Sequence, residues 1–282
     1  QQGELRMENL KGKDVFYAIC DSLRSLDQRP IDHGIRTAYI MYKMLKHTGK
    51  YAPAVLADFF VLAALHDVGV YKTDNMDNML NYEFNKYRAH SVFGFLLLSE
   101  YFPPMESKAK MLLFHRVGYN KIPKRDYMWG FETDVLSIAE AADVYQHAMG
   151  QNFDSHMFAK QVGTKYSQEV FDLLNDVCAN EKIFENLRYE QYMPEVEELL
   201  ENLHLNDLAK QQYLDFAMFC LGLQSTNIKA VVVPEWKEDV AKVIAADKAS
   251  AQEKFWERSD SIAWNVDSLH SKYLAVLQVL QV

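Results

Sequence analysis

Apolar residues recur at steps of three and four along almost the whole chain, with few Gly or Pro inside the runs. That is the spacing of helices burying one face. It predicts helices near 13–26, 33–47, 53–66, 85–101, 104–115, 132–148, 166–178, 194–203, 206–221 and 236–280. The punctuation agrees: Gly49, Gly69 and Gly150 fall just past predicted helices and Pro103-Pro104 opens another, where backbone freedom or a missing N–H suits a helix end. Only Ile228 to Val233, β-branched and followed by Pro234, reads as strand, and one short strand makes no sheet. The expected fold is all-α, a helical bundle with additional C-terminal helices. From Glu235 on, Trp236, Phe255, Trp256, Trp264, Leu269 and Tyr273 alternate with charges and no Gly or Pro intervenes. This segment suits a long amphipathic helix or helix pair, for packing or homodimerisation.

Composition narrows the class. Hydrophobic residues make up 49% of the 282 positions, enough for an ordered globular core with a smaller appendage. The expected division is a catalytic core over 1–165 and a helical extension over 166–282. A net charge of −9 argues against gripping long nucleic acid, whose affinity comes mainly from Lys and Arg, but leaves room for a small phosphorylated nucleotide. Cys20, Cys178 and Cys220 are widely spaced and odd in number, so neither a disulfide framework nor a thiolate zinc site is indicated. No stretch reaches the roughly 18 to 20 uncharged apolar residues of a membrane span, and Gln1 to Asp14 is too polar for a signal peptide. A cytoplasmic protein without a membrane partner is the expectation.

The candidate chemistry lies in the histidines and two aspartates. His66-Asp67 ends an apolar run from Val55 to Leu65, where an uncompensated carboxylate is costly and a cation would offset it. Asp143 shares a helix side with Ala139 and Ala142, within Val135-Leu136-Ser137-Ile138-Ala139-Glu140-Ala141-Ala142-Asp143. Taken alone, it reads more readily as a helix-to-helix salt bridge or hydrogen bond than as a ligand. His90 shares a stripe with Phe93, Gly94 and Leu97, and His115 closes a helix after Met111, Leu112 and Leu113. Imidazoles and carboxylates turned inward from successive helices can hold metal in a bundle. Such a donor set suits Fe, Mn, Ni or Zn, and a metal-activated hydroxide could then attack phosphorus in line with the metals taking up charge. No G-x-S-x-G elbow or P-loop points to another nucleophile.

The order His33, His66-Asp67-Val68-Gly69, His90, His115 and Asp143 resembles the HD superfamily of metal-dependent phosphohydrolases over roughly 30 to 150. It looks most like the HD-GYP branch, which hydrolyses cyclic di-GMP and related cyclic dinucleotides. The resemblance implies His33, His66, Asp67, His90, His115 and Asp143 as ligands of two divalent transition-metal ions, with Asp67 bridging. His115-Arg116-Val117-Gly118-Tyr119-Asn120-Lys121 stands in outline where the branch carries its naming loop. Phe114 and Arg116 replace a histidine and an acid there, Val70 replaces a phosphate-steadying Lys for which Lys72 could substitute, and Arg29 replaces a third-metal carboxylate. Arg116, Tyr119, Lys121 and Lys72 are the candidate substrate contacts, the wider cluster including Lys124 and Arg125, with Tyr127 and Trp129 as candidate stacking surfaces. Three readings follow: a cyclic-dinucleotide phosphodiesterase, with Asp67 and Lys72 catalytic; an HD phosphohydrolase of another nucleotide or phosphate ester; and a degenerate signalling or binding module.

Overall fold

The computed structural model describes residues 9–72, 89–122, 127–221 and 223. Its helices are α1 (Gly12–Arg24), α2 (Gln28–His47), α3 (Pro53–Ala64), α4 (Ala89–Tyr101), α5 (Lys110–Phe114), α6 (Gly130–Met149), α7 (Gln168–Asn180), α8 (Ile183–Arg188), α9 (Met193–Leu200) and α10 (Asp207–Leu221), joined in part by 3-10 turns. The fold is all-α. No strand occurs among the described residues, where Val162 and Tyr166 form one isolated bridge. The expected strand at 228–233 and helix at 236–280 lie outside the described residues.

α2 is the central element, packing on both α3 and α6, while α10 runs against α1. It begins earlier than its periodicity predicts. The Asp27 carboxylate accepts from the Arg29 amide at 2.8 Å, and Pro30 sits in the first turn, where amides have no intrahelical acceptor to lose. The expected helix 104–115 is interrupted: Pro103–Lys108 forms a 3-10 turn and only Lys110–Phe114 continues as α-helix. α8 was not anticipated, being too short to display a period.

α3 is apolar nearly all round and buried, as a core helix must be. By length and composition the segment Pro53–Tyr71 is apolar enough to cross a membrane, a stretch the sequence expectation passed over, but it is mostly buried inside the fold and the bundle core takes up this apolar surface.

Two glycines fix how closely these elements approach. A Cβ on Gly34 would lie 2.1 Å from the Ala64 carbonyl oxygen, and one on Gly69 would lie 2.1 Å from the His90 carbonyl oxygen. Backbone therefore touches backbone where α2 meets the end of α3, and where the 3-10 turn Val68–Lys72 meets α4. Each contact stands beside a candidate ligand. Tyr71 adds a tie by donating its hydroxyl to the Asp27 carbonyl at 2.8 Å, joining the turn after His66-Asp67 to the start of α2.

Candidate metal centre

Helix ends present two of the imidazoles. The last carbonyls of a helix have no intrahelical donor, and His66 and His115 each fold back to the carbonyl three residues earlier. His66 Nδ1 donates to Ala63 O at 2.7 Å, and His115 Nδ1 donates to Leu112 O at 2.6 Å. A carbonyl only accepts, so each ring carries a proton on Nδ1 and turns Nε2 inward. His33, on α2, is oriented differently: its Nδ1 lies 2.7 Å from Asp143 Oδ2, which likewise turns Nε2 inward.

These nitrogens gather around Asp67. Asp67 Oδ2 is 3.4 Å from His66 Nε2 and 3.9 Å from His33 Nε2; Oδ1 is 3.4 Å from His90 Nε2 and 3.7 Å from His115 Nε2. His90 Nε2 and His115 Nε2 are 3.3 Å apart. Most of these separations exceed good hydrogen-bond lengths. The three shortest match polyhedron edges, since donors about 2.0–2.2 Å from one tetrahedral ion are roughly 3.3–3.6 Å apart. Two groups could each hold an ion: His33, His66, Asp67 and Glu140 form one, and Asp67, His90 and His115 the other. Asp67 belongs to both, facing one group with each oxygen.

All these side chains are buried. His66 Nε2 and Asp67 Oδ1 have no hydrogen-bond partner among the described residues. Leaving such acceptors unmet costs about 1–3 kcal/mol each, and inward lone pairs facing a carboxylate are a donor set that a cation completes. Burial pushes His66 down to about 4, and burial followed by the Arg116 charge holds His90 well below the imidazole range. Both are neutral at pH 7, the form that binds metal. Burial opposes ionisation of Asp67, but in the acid range where His66 is protonated its charge, a hydrogen bond from His115 and then the charges of His90 and Arg116 outweigh it and hold the carboxyl well below its usual range.

Asp143 lies outside both groups. Besides His33 it receives Arg36 Nε at 2.9 Å and Gln146 Nε2 at 3.1 Å. Burial would raise its carboxyl, yet the hydrogen bond and charge of His33, then Arg36, bring it down to about 2. The ion-pair alternative for this residue is thus the geometry found, with His33 as an additional partner. The second carboxylate of the groups is Glu140, one turn earlier on α6. It pairs with Arg116, and its Oε2 is 3.8 Å from His115 Nε2.

A cleft of about 400 Å³ opens over His33, Asp67 and Asp143, lined also by Arg29, Arg36 and Arg116. Arg29, His33 and Arg36 follow one stripe of α2, and His147 continues the rim one turn beyond Asp143. The cleft places Arg116 with the candidate ligands. Tyr119 and Lys121 are not among its lining residues; their turn docks on the following loop, with Tyr119 N donating to Lys165 O at 3.0 Å. Tyr127 packs edge-on against Phe114, and Trp129 donates to Ser107 O at 3.0 Å while packing on Phe59. Both pin the chain to the core. The Lys72 side chain, Lys124 and Arg125 lie outside the described residues.

Sequence reasoning missed Glu140 and Arg36. Glu140 carried a usable signal, a carboxylate inside the apolar run 135–142. Arg36 carried little, since its role depends on α2 meeting α6.

The helical fold and two His/carboxylate groups are consistent with a metal-dependent, HD-like site. Comparison with family models, with characterised proteins and with solved structures finds no match for this chain.

Proposed function

We propose that the chain is a metal-dependent phosphohydrolase of the HD type that cleaves a small phosphorylated nucleotide. The observation that carries this reading is Asp67, buried and shared between two groups of inward donors, with arginines above it. His33, His66, Asp67 and Glu140 would hold one ion, and Asp67, His90 and His115 the other. Bound divalent ions supply a hydroxide nucleophile at neutral pH and offset charge on phosphoryl oxygens. The chain's part is to orient and bind: Asp143 fixes the His33 ring, and Arg116 and Arg36 face the cleft where phosphate oxygens would lie, as planar guanidinium donors suit them.

The resemblance to the HD-GYP branch favours a cyclic dinucleotide as substrate, with Lys72 as a further contact and with Tyr119 and Lys121, which do not line the cleft, reached only by the part of the ligand extending beyond it. The cleft favours a second reading. At about 400 Å³ it is near the small end of ligand sites, which run from about 300 to 1,000 Å³, and suits a single nucleotide or compact phosphate ester. The test is product formation by metal-loaded protein on cyclic di-GMP, other cyclic dinucleotides, mononucleotides and simple phosphate esters. Turnover of any of these that Asp67→Ala abolishes supports a phosphohydrolase, and the preferred compound separates the two substrates. A metal-loaded wild type that turns over none of them would leave only a binding module.

A further inference from the structure

Arg116 touches the two groups unequally. Its Nη2 pairs with Glu140 Oε1, Glu140 being a residue of the His33 group, and lies 3.9 Å from Asp67 Oδ2, the oxygen facing His33 and His66. The oxygen facing His90 and His115 is Oδ1. The same guanidinium lines the cleft with Arg29 and Arg36, so one side chain reaches both the carboxylates and the place where a phosphate would sit.

Resting on the phosphohydrolase reading, we propose that Arg116 couples metal occupancy to an anion in the cleft. The Asp67–His90–His115 position takes its ion with the Arg116–Glu140 pair intact. Filling the His33–His66–Asp67–Glu140 position sets an ion against the same Glu140 carboxylate that Arg116 holds, and the guanidinium gives way to it. A phosphate in the cleft receives the displaced guanidinium.

Charge supports this order. Asp143 is matched by Arg36, so among the described residues Asp67 and Glu140 are the two carboxylates of the groups that balance the ions. One divalent ion together with Arg116 already exceeds them. A second ion enlarges the excess in a buried, poorly screened site, and a phosphate dianion reduces it again. The second ion and the phosphate therefore bind cooperatively, each tightening the other by the same factor.

The test is a titration of the full-length protein with Mn²⁺, counting unbound ion by its electron paramagnetic resonance signal, with and without inorganic phosphate. The wild type should take one ion tightly and the second weakly, and phosphate should tighten the second roughly tenfold. Arg116→Gln, checked for retained helicity, should take the second ion tightly without phosphate and lose the phosphate effect. Arg116→Lys should keep the weak second site because the charge remains. Two equal ions in wild type, unaffected by phosphate, would overturn the coupling while leaving the metal centre standing. That comparison needs no variant to fold. Failure to bind any ion would overturn the metal reading and the coupling with it.

Discussion

His33 and Asp143 form a hydrogen-bonded pair, Nδ1 to Oδ2 at 2.7 Å, reached from α2 and α6 across the bundle. The contact makes Asp143 the residue that aims His33, while Arg36 shares the carboxylate's charge. Asp143→Asn should weaken metal binding by about 10–100-fold, the usual effect of losing a ligand's orienting partner. It should also cost about 3 kcal/mol of stability near pH 7, because one member of a buried ion pair is removed. The carboxyl sits at about 2 in the fold against about 3.9 in an unfolded chain. Its contribution is therefore present above pH 3.9 and lost as pH falls towards 2. Urea unfolding of metal-free wild type and variant should show the gap closing over that range.

Glu140 and Asp143 lie one turn apart on α6 and should separate by metal count. Glu140→Gln removes a donor of the His33 group and should lower the metal bound at saturation by one equivalent. Asp143→Asn should keep the count and lose affinity. Elemental analysis after equilibrium dialysis at several metal concentrations reads both quantities.

Gly34→Ala tests the close approach that sets His33 beside His66. The added Cβ meets backbone, at 2.1 Å from Ala64 O, so α2 and α3 must part. Overpacking of this kind costs about 1–3 kcal/mol or more. Metal affinity should fall with stability even though no ligand has changed, as thermal unfolding and metal titration of the same preparation would reveal.

His66 links stability to pH in the opposite sense from a histidine that gains a carboxylate. Its folded value of about 4 lies below the unfolded value of about 6.5, so the unfolded chain takes up the proton first. Its contribution is complete above pH 6.5 and declines as pH falls towards 4. His66→Asn should flatten the metal-free protein's stability profile between those limits, measured by denaturant midpoint.

The longer helices were legible where they carry a period, as α1, α2 and α7 do, or an apolar run too long for a strand, as α3 does. The inward His66, His90 and His115 were legible because each falls on an apolar stripe or at its end. Asp143 was legible as a buried acid, but its partner was not: the neighbours it finds, His33 and Arg36, stand more than a hundred residues away and meet it only through the packing of α2 on α6. The same limit hid the partner of Arg116, which reads in sequence as a cation at the mouth and in three dimensions both lines the cleft and pairs with Glu140. Periodicity assigns faces to helices; it does not say which faces meet.

Metal content tests the central claim most directly. Protein purified without chelator, then incubated with Fe, Mn, Ni or Zn and desalted, should retain at least one equivalent of transition metal, and Asp67→Ala should retain none while keeping its helical circular dichroism. A folded wild type that retains no metal after that treatment would contradict the account.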